Sequence, residues 1–492
     1  MATNLPPMDA GTESGTPCAK QARPRRWRRR VTLLLFLVLA AWSARFVYLR
    51  LTVMPTPRPE YWEAKILALD PAGERAATPQ EVWSLLWSRP WEADEALKAL
   101  GDARNAGWRT ASEVFRGEWN KDREDIVVVN RIMESPAFRE SRDRLLRSLE
   151  RGWRSDAFLE AGPVSVSAPS ILPWVNWLNI HARCSQHRDE SMEPSITDWL
   201  ACLRLGRESG RCRRTEDQKR RSLIQEWTVR QMLLTATEPH GPVDTAALAR
   251  QVDALCPPEA KLSEMLEGER LVMHARLEQV FAREGGDWLV VSEVPRSDYL
   301  RGLSSSSAPR YWNLASPLFH DLATARRDVD DYFASLDRCA CLVDLRGASG
   351  SSPASGRRWL GLSPGPLDGI GTVWSEMADL WPDGCFWPYY QGRSATEAAL
   401  AMLALAEYQR VNGTYPAALA ELVPRWLPRV PIDYADLKPL RYQRLERGFL
   451  LYSIGGDGKD DGGRGVRSPS DSYPMAPDVV FSQVKRPERS SP

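Results

Sequence analysis

Apolar residues recur through most of this chain at intervals of three and four, the spacing of one helix face. From 61 to 392 the pattern is repeatedly closed by Pro or Gly. Trp83, Leu86 and Trp87 open a stripe that Pro90 breaks. Phe138, Leu145, Leu146 and Leu149 share a face ahead of Gly152. Leu223, Ile224, Trp227 and Leu234 repeat the pattern. The clearest stretch runs from Glu259 to Glu284, between Pro257-Pro258 and Gly285-Gly286. There Leu262, Met265, Leu266, Met273, Leu277, Val280 and Phe281 fall on one side, which predicts a single amphipathic helix. Such helices, joined by short polar turns, predict a bundle or an irregular helix-pair array with no strict repeat. Ser304–Pro309 and the Gly- and Ser-rich Gly347–Pro366 read as surface loops.

Near residue 393 the period changes. Ser394 and Glu397 have capping-box spacing, and an Ala- and Leu-rich helix is expected over Ala395–Val411. Asn412-Gly413 should end it. Leu440–Leu445 and Phe449–Ile454 flank a Glu-Arg-Gly turn as a hairpin would, and Val479–Val484 suits a third strand. This predicts a small α+β unit, one helix on an antiparallel sheet.

A different pattern stands at the other end. Val31–Leu49 is the only long apolar run. Val31–Ala44 is apolar but short, and Arg45 interrupts before Phe46–Leu49. An Arg this near a helix end can snorkel to the headgroups. Arg23, Arg25, Arg26, Arg28, Arg29 and Arg30 precede the run and should stay cytoplasmic. Their reading is topology and anionic lipid. The run therefore predicts a single-pass signal anchor in the cytoplasmic (inner) membrane, with the bulk of the chain extracytoplasmic. A cleaved signal peptide is the alternative, with Ala41-Trp42-Ser43 as its site. Residues 1–22 read as disordered, and 54–60 as a stiff Pro-rich linker.

Composition narrows function more than fold. The chain has 492 residues, enough for about two to four domains. Its 65 basic and 64 acidic residues leave a net charge of +1. Apart from the tail there is no broad basic face, so the footprint of a nucleic-acid binder is missing. Eight cysteines permit one or two disulfides, far from a dense framework.

The segment Tyr408-Gln-Arg-Val-Asn-Gly413-Thr-Tyr415-Pro416 resembles the end of the long helix in the major pseudopilin of type II secretion systems. Leu427-Pro428-Arg-Val-Pro431-Ile-Asp433, Pro439-Leu-Arg-Tyr442, and Leu451-Tyr452-Ser453-Ile-Gly455-Gly456-Asp457-Gly458-Lys459-Asp460-Asp461-Gly462-Gly463 extend the resemblance in the same order. It covers residues 395–485. The whole chain also resembles bacterial membrane-anchored proteins of unknown function that carry such a module behind a helical region. In the pseudopilin family this loop binds Ca²⁺. The resemblance thus implies Asp457, Asp460 and Asp461 as carboxylate ligands, with Asp478 joining from the last strand. Calcium takes six to eight oxygens, and an Asp- and Gly-rich loop can wrap it. A solvated acidic turn has the same composition. The family's Gly-Phe-Thr-Leu-Ile-Glu processing motif is absent here, and some 345 residues separate anchor from module. A filament role does not follow.

Other constellations carry less. Gly361-Leu-Ser363-Pro-Gly365 fits G-x-S-x-G, but Pro364 lacks the N–H an oxyanion hole requires. Ser482-Gln-Val-Lys485 fits S-x-x-K in a strand context. His181 and Cys184 share a helix face, yet His187 turns away and no fourth ligand is spaced for zinc. Cys339-Ala-Cys341 reads as structural. Glu269 falls on the apolar stripe of 259–284, where pairing with a neighbouring Arg is expected, a catalytic acid being the sharper alternative.

Together these patterns predict a mainly α protein. Its expected parts are a disordered basic tail (1–30), a transmembrane helix (31–50), a Pro-rich linker (51–60), a helical extracytoplasmic domain (61–392), a pseudopilin-like α+β module (393–485) and a disordered end (486–492). The expected function is a non-enzymatic scaffold or binding protein of the bacterial cell envelope. It would hold the bilayer through residues 31–49 and meet an unidentified envelope protein. The alternative is an envelope hydrolase with its site around Glu269 or His181.

Overall fold

The computed structural model describes residues 25–52, 59–70, 76–90, 124–154, 157, 171–188, 191–238, 240–257, 261–281, 322–338, 341–344, 386–464 and 478–481. The tail before Arg25, both predicted surface loops, the G-x-S-x-G and S-x-x-K motifs and the end beyond 485 lie outside them. Two compact units result, Met1–Val53 and Met54–Pro492. The described residues are mainly helical, with a small antiparallel sheet near the C-terminus.

In the first unit one helix, α1, runs from Arg25 to Thr52. Leu33 to Leu39 and Trp42 are all solvent-exposed along it. Among the described residues no helix is long and apolar enough to cross a membrane. The reason is visible in the sequence: Val31–Ala44 rises only about 21 Å as a helix, against about 30 Å of hydrocarbon.

The second unit begins with α2 (Pro59–Leu67) and α3 (Pro79–Trp87). The Thr78 hydroxyl accepts from the Glu81 backbone while the Glu81 carboxylate accepts from Thr78, a complete capping box at the start of α3. α4 (Glu124–Glu134) and α5 (Pro136–Arg151) follow. Gly152 closes α5 at φ +74°, as its position predicts. α6 (Leu172–Arg188), α7 (Glu193–Ser209) and α8 (Thr215–Ala236) are the central helices. α9 (Thr245–Leu255), α10 (Glu267–Phe281) and α11 (Leu322–Leu336) complete this part. One core gathers α3 to α6 around Trp153, Trp174 and Phe138.

The helix expected over 259–284 is broken in its described part. A single turn, Leu262–Met265, precedes α10. Gly268 explains the break: a Cβ there would lie 1.8 Å from the Cys212 carbonyl oxygen. The chain bends where its backbone meets the loop before α8, and only glycine permits that approach.

The last helix, α12, spans Phe386–Asn412, so it starts well before the predicted Ser394 cap. Ser394 and Glu397 lie inside it and serve other partners. The Ser394 hydroxyl accepts from Tyr434 N at 2.8 Å, and Glu397 accepts from Arg429 at 2.6 Å. Gly413, at φ +75°, ends the helix where expected. Every residue from Ala395 to Leu405 is buried. A helix apolar all round must be covered on all sides, and α12 is. Gln225 of α8 donates to Thr396 at 2.8 Å on one flank. On the other, Leu440, Phe449, Leu451 and Val479 join its core.

The sheet follows a 3-10 turn, Leu419–Leu422. β1 (Ile432–Asp433) pairs with β2 (Lys438–Pro439). The expected hairpin forms from β3 (Arg441–Arg444) and β4 (Phe449–Ser453), with Arg441 opposite Tyr452 and Arg444 opposite Phe449. β5 (Val479–Val480) pairs with β4, giving the order β3-β4-β5.

Candidate functional site

The Asp–Gly loop leaves β4 at Ser453 and folds back over the outer face of the hairpin. Gly463 makes this approach possible. It sits at φ +71°, and a Cβ there would come within 2.9 Å of Leu450. Asp457 accepts from Lys459 N at 2.9 Å, closing a local turn. Asp460 accepts from Gly462 N at 3.0 Å and from the Tyr452 hydroxyl at 2.9 Å. Asp461 is exposed. Asp478 is fully buried, and its Oδ2 accepts from Gly463 N at 2.7 Å. Among the described residues its Oδ1 has no hydrogen-bond partner. Burial pushes the Asp478 carboxyl above its usual range, against the opposing pull of the Gly463 and Asp461 amides. The neighbouring Asp460 and Asp461 charges push the same way as burial.

In chemistry these residues suit calcium, since they offer hard carboxylate oxygens and one of them is buried without a donor. In arrangement Asp457 and Asp460 are engaged by the amides of their own turns. Among the described residues no group of three or more His, Cys, Asp or Glu stands ready to hold a metal.

Beside the loop lies a carboxylate to which the resemblance assigned no role. Asp433 is fully buried. Its Oδ1 accepts from Ser453 Oγ at 2.7 Å, Ala435 N at 3.0 Å and Ser394 Oγ at 3.1 Å. Its Oδ2 accepts from Ile454 N at 3.0 Å and Arg441 at 3.2 Å. Asp433 therefore ties α12, β1, β4 and β3 together at one point. Arg441 carries the network outward, with both guanidinium nitrogens on Asp436 (2.9 and 2.7 Å) and its Nε 3.8 Å from Asp460. An open groove of about 600 Å³ lies alongside, lined by Lys438, Arg441, Gln443, Leu450, Tyr452 and Gly462 among others.

The helical candidates are spent on the fold. Glu269 is buried, but its partner is a helix end where an Arg was expected. Its carboxylate accepts from Thr215 N at 3.0 Å, capping α8, while its own N–H donates to Arg213 O. His181 meets Asp198 at 2.5 Å, and Arg142 holds the other Asp198 oxygen at 2.6 Å. Cys184 is buried nearby. His187 instead lies 3.7 Å from Glu238, and burial holds its imidazole below the usual value. His181, Cys184 and His187 are not brought to one point. Cys202, Cys256 and Cys341 are free thiols and Cys212 is buried; Cys339 falls outside the described residues.

A second, partly buried cluster escaped the sequence reading. His274 stacks on Trp62 with ring centroids 5.6 Å apart and contacts Asp330 at 2.8 Å. Arg270 bridges Glu267 and Asp330. Glu267, Arg270 and His274 share a face of α10 at helical spacing, but Trp62 of α2 and Asp330 of α11 are remote in sequence, and no spacing announces them.

No protein-family description, no curated protein and no solved structure matches this chain.

Proposed function

We propose that this is a non-enzymatic, membrane-anchored binding or scaffold protein of the bacterial cell envelope. α1 is its anchor, and the unit Met54–Pro492 is presented outside the cytoplasm. The observation that carries the reading is the exposed apolar stretch of α1. Eight large apolar side chains stand in solvent between Leu33 and Trp42. Exposed apolar surface on that scale marks a membrane or protein contact. Val31–Leu49 rises about 28 Å as a helix, and Arg45 near its end can reach the headgroups. Local thinning of the bilayer absorbs the remaining mismatch.

The pseudopilin-like character of the terminal unit belongs to this reading. It is supported by the order of elements, which runs helix, loop, hairpin, Asp–Gly loop and last strand. Calcium belongs to it as well, with Asp478 as the residue it depends on and the 457–461 loop supplying further oxygens. The hydrolase alternative is weakened by the engagement of Glu269 and His181 in capping and ion pairing. The test is alkaline extraction of membranes from cells expressing the full chain. Retention in the pellet, lost on Leu35→Arg/Leu37→Arg substitution, is expected. Full release of the unsubstituted chain would refute the anchor.

A further inference from the structure

We propose that the Trp62–His274 stack is an acid-sensitive clasp, which holds α2 on α10 and α11 at neutral pH and loosens it when the imidazole is protonated. The clasp itself stands without the anchor. Its consequence rests on the anchored-protein reading: α2 is the next described helix after α1, so its release lengthens the tether between membrane and body.

α2 depends on what it packs against. It has nine residues, too few for a helix to persist alone in water. Of its described side chains only Trp62 and Ile66 are buried. They meet Cys212, Leu271, Val272 and Ala275 in a small core of their own. The Trp62 ring lies only 9° from parallel to the His274 ring, with centroids 5.6 Å apart. A change of charge on His274 is therefore felt directly by one of the two side chains that hold the helix down.

The site is built for a neutral ring. His274 is buried, and its Nε2 lies 2.8 Å from the Asp330 carboxylate. That contact assigns the proton to Nε2 and leaves Nδ1 a bare lone pair. Nδ1 is buried too, and among the described residues it has no hydrogen-bond partner. Protonation puts a second N–H there with no acceptor to receive it. The surrounding charges are already engaged. Lys65 of α2 lies over Trp62, 5.3 Å from its ring centre. Arg270 of α10 sits 3.3 Å from Nε2 and holds both Glu267 and Asp330. Arg326 of α11 is taken by Glu278 of α10. In the loop before α8, Arg211 is taken by Glu208 and Asp70. Burial pushes the imidazole below its usual value; Asp330 pulls it back up, while Arg270 and Arg326 push the same way as burial. A released ring regains the ordinary value. The hold is therefore complete above that value, 6.5, and is lost as pH falls from there through the lowered one.

The test is hydrogen exchange of the purified full chain in detergent, read by mass spectrometry on peptides covering 59–67. It compares about pH 7.5 with about pH 5, corrected for the intrinsic pH dependence of exchange. At acid pH α2 should exchange about threefold faster or more, while α7 and α8 keep their protection. His274→Phe keeps a ring against Trp62 and takes no proton, so its α2 should exchange alike at both pH values. Asp330→Asn keeps an acceptor for Nε2 and removes the charge that favours protonation. It should move the midpoint of loosening to lower pH, which a merely structural contact would not do, and it decides the matter if His274→Phe does not fold. Four results would overturn the proposal: an α2 indifferent to pH, equal acid loosening in His274→Phe, loosening of α2 only together with α7 and α8, or an unmoved or raised midpoint in Asp330→Asn. Membrane extraction plays no part in this readout, so the clasp and the anchor can fail separately.

Discussion

Asp433 and Asp478 are both fully buried, yet they take opposite roles. Asp433 has five donors and no spare capacity, so it fastens the terminal unit. Among the described residues Asp478 Oδ2 accepts from Gly463 N while Oδ1 has no partner, so its burial costs stability while it is charged. The sign of its pH effect follows. With its pKa raised in the folded state, the ion-free protein loses stability as pH climbs from the ordinary carboxylate value through the raised one. Calcium bound as proposed would compete with the proton, so its stabilising effect should fade as pH falls through the same window. Asp478→Asn should raise the melting temperature of the ion-free protein by about 2 °C and abolish any further rise with calcium. Scanning calorimetry of both proteins at millimolar calcium checks this. An equal calcium response in the two would remove Asp478 from the site.

At the scale of elements, the bend at Gly268 is the sharpest test of packing. Gly268→Ala forces a Cβ into the Cys212 carbonyl and should cost about 3 kcal/mol in urea unfolding, with little change in far-ultraviolet dichroism. A loss below about 0.5 kcal/mol would mean that α10 does not approach the loop this closely. The same bend shows the limit of periodicity. Leu262, Met265 and Leu266 before it and Met273 and Leu277 after it repeat at helical spacing, and nothing in that spacing reports a backbone arriving from residue 212. Ser394-x-x-Glu397 failed for a related reason. It has the chemistry of a cap, but tertiary partners, Tyr434 and Arg429, claimed both side chains. The hairpin and the Gly152 and Gly413 helix ends were legible, since turn residues act locally. Glu269 was legible as a buried carboxylate and illegible as the cap of a helix 54 residues away. The Asp433 network joins residues spread from 394 to 454, and no local pattern announces it.

At the scale of the molecule, the terminal α+β unit is set into the helical body. α12 shares one core with α7, α8, α9 and the sheet. Arg429 bridges Glu397 of α12 and Asp253 of α9, and Arg393 donates to Pro257 O. A helix enclosed this way presents its apolar surface to its own chain, which fits a stationary presented unit better than a filament subunit. The central claim is that this unit is held outside the cytoplasm by α1. Protease protection tests it most directly, using cells that carry one epitope ahead of Arg23 and another after Pro492. Protease added to cells with a permeabilised outer membrane should remove the C-terminal epitope and spare the N-terminal one. Protection of both epitopes until the inner membrane is broken would contradict the account.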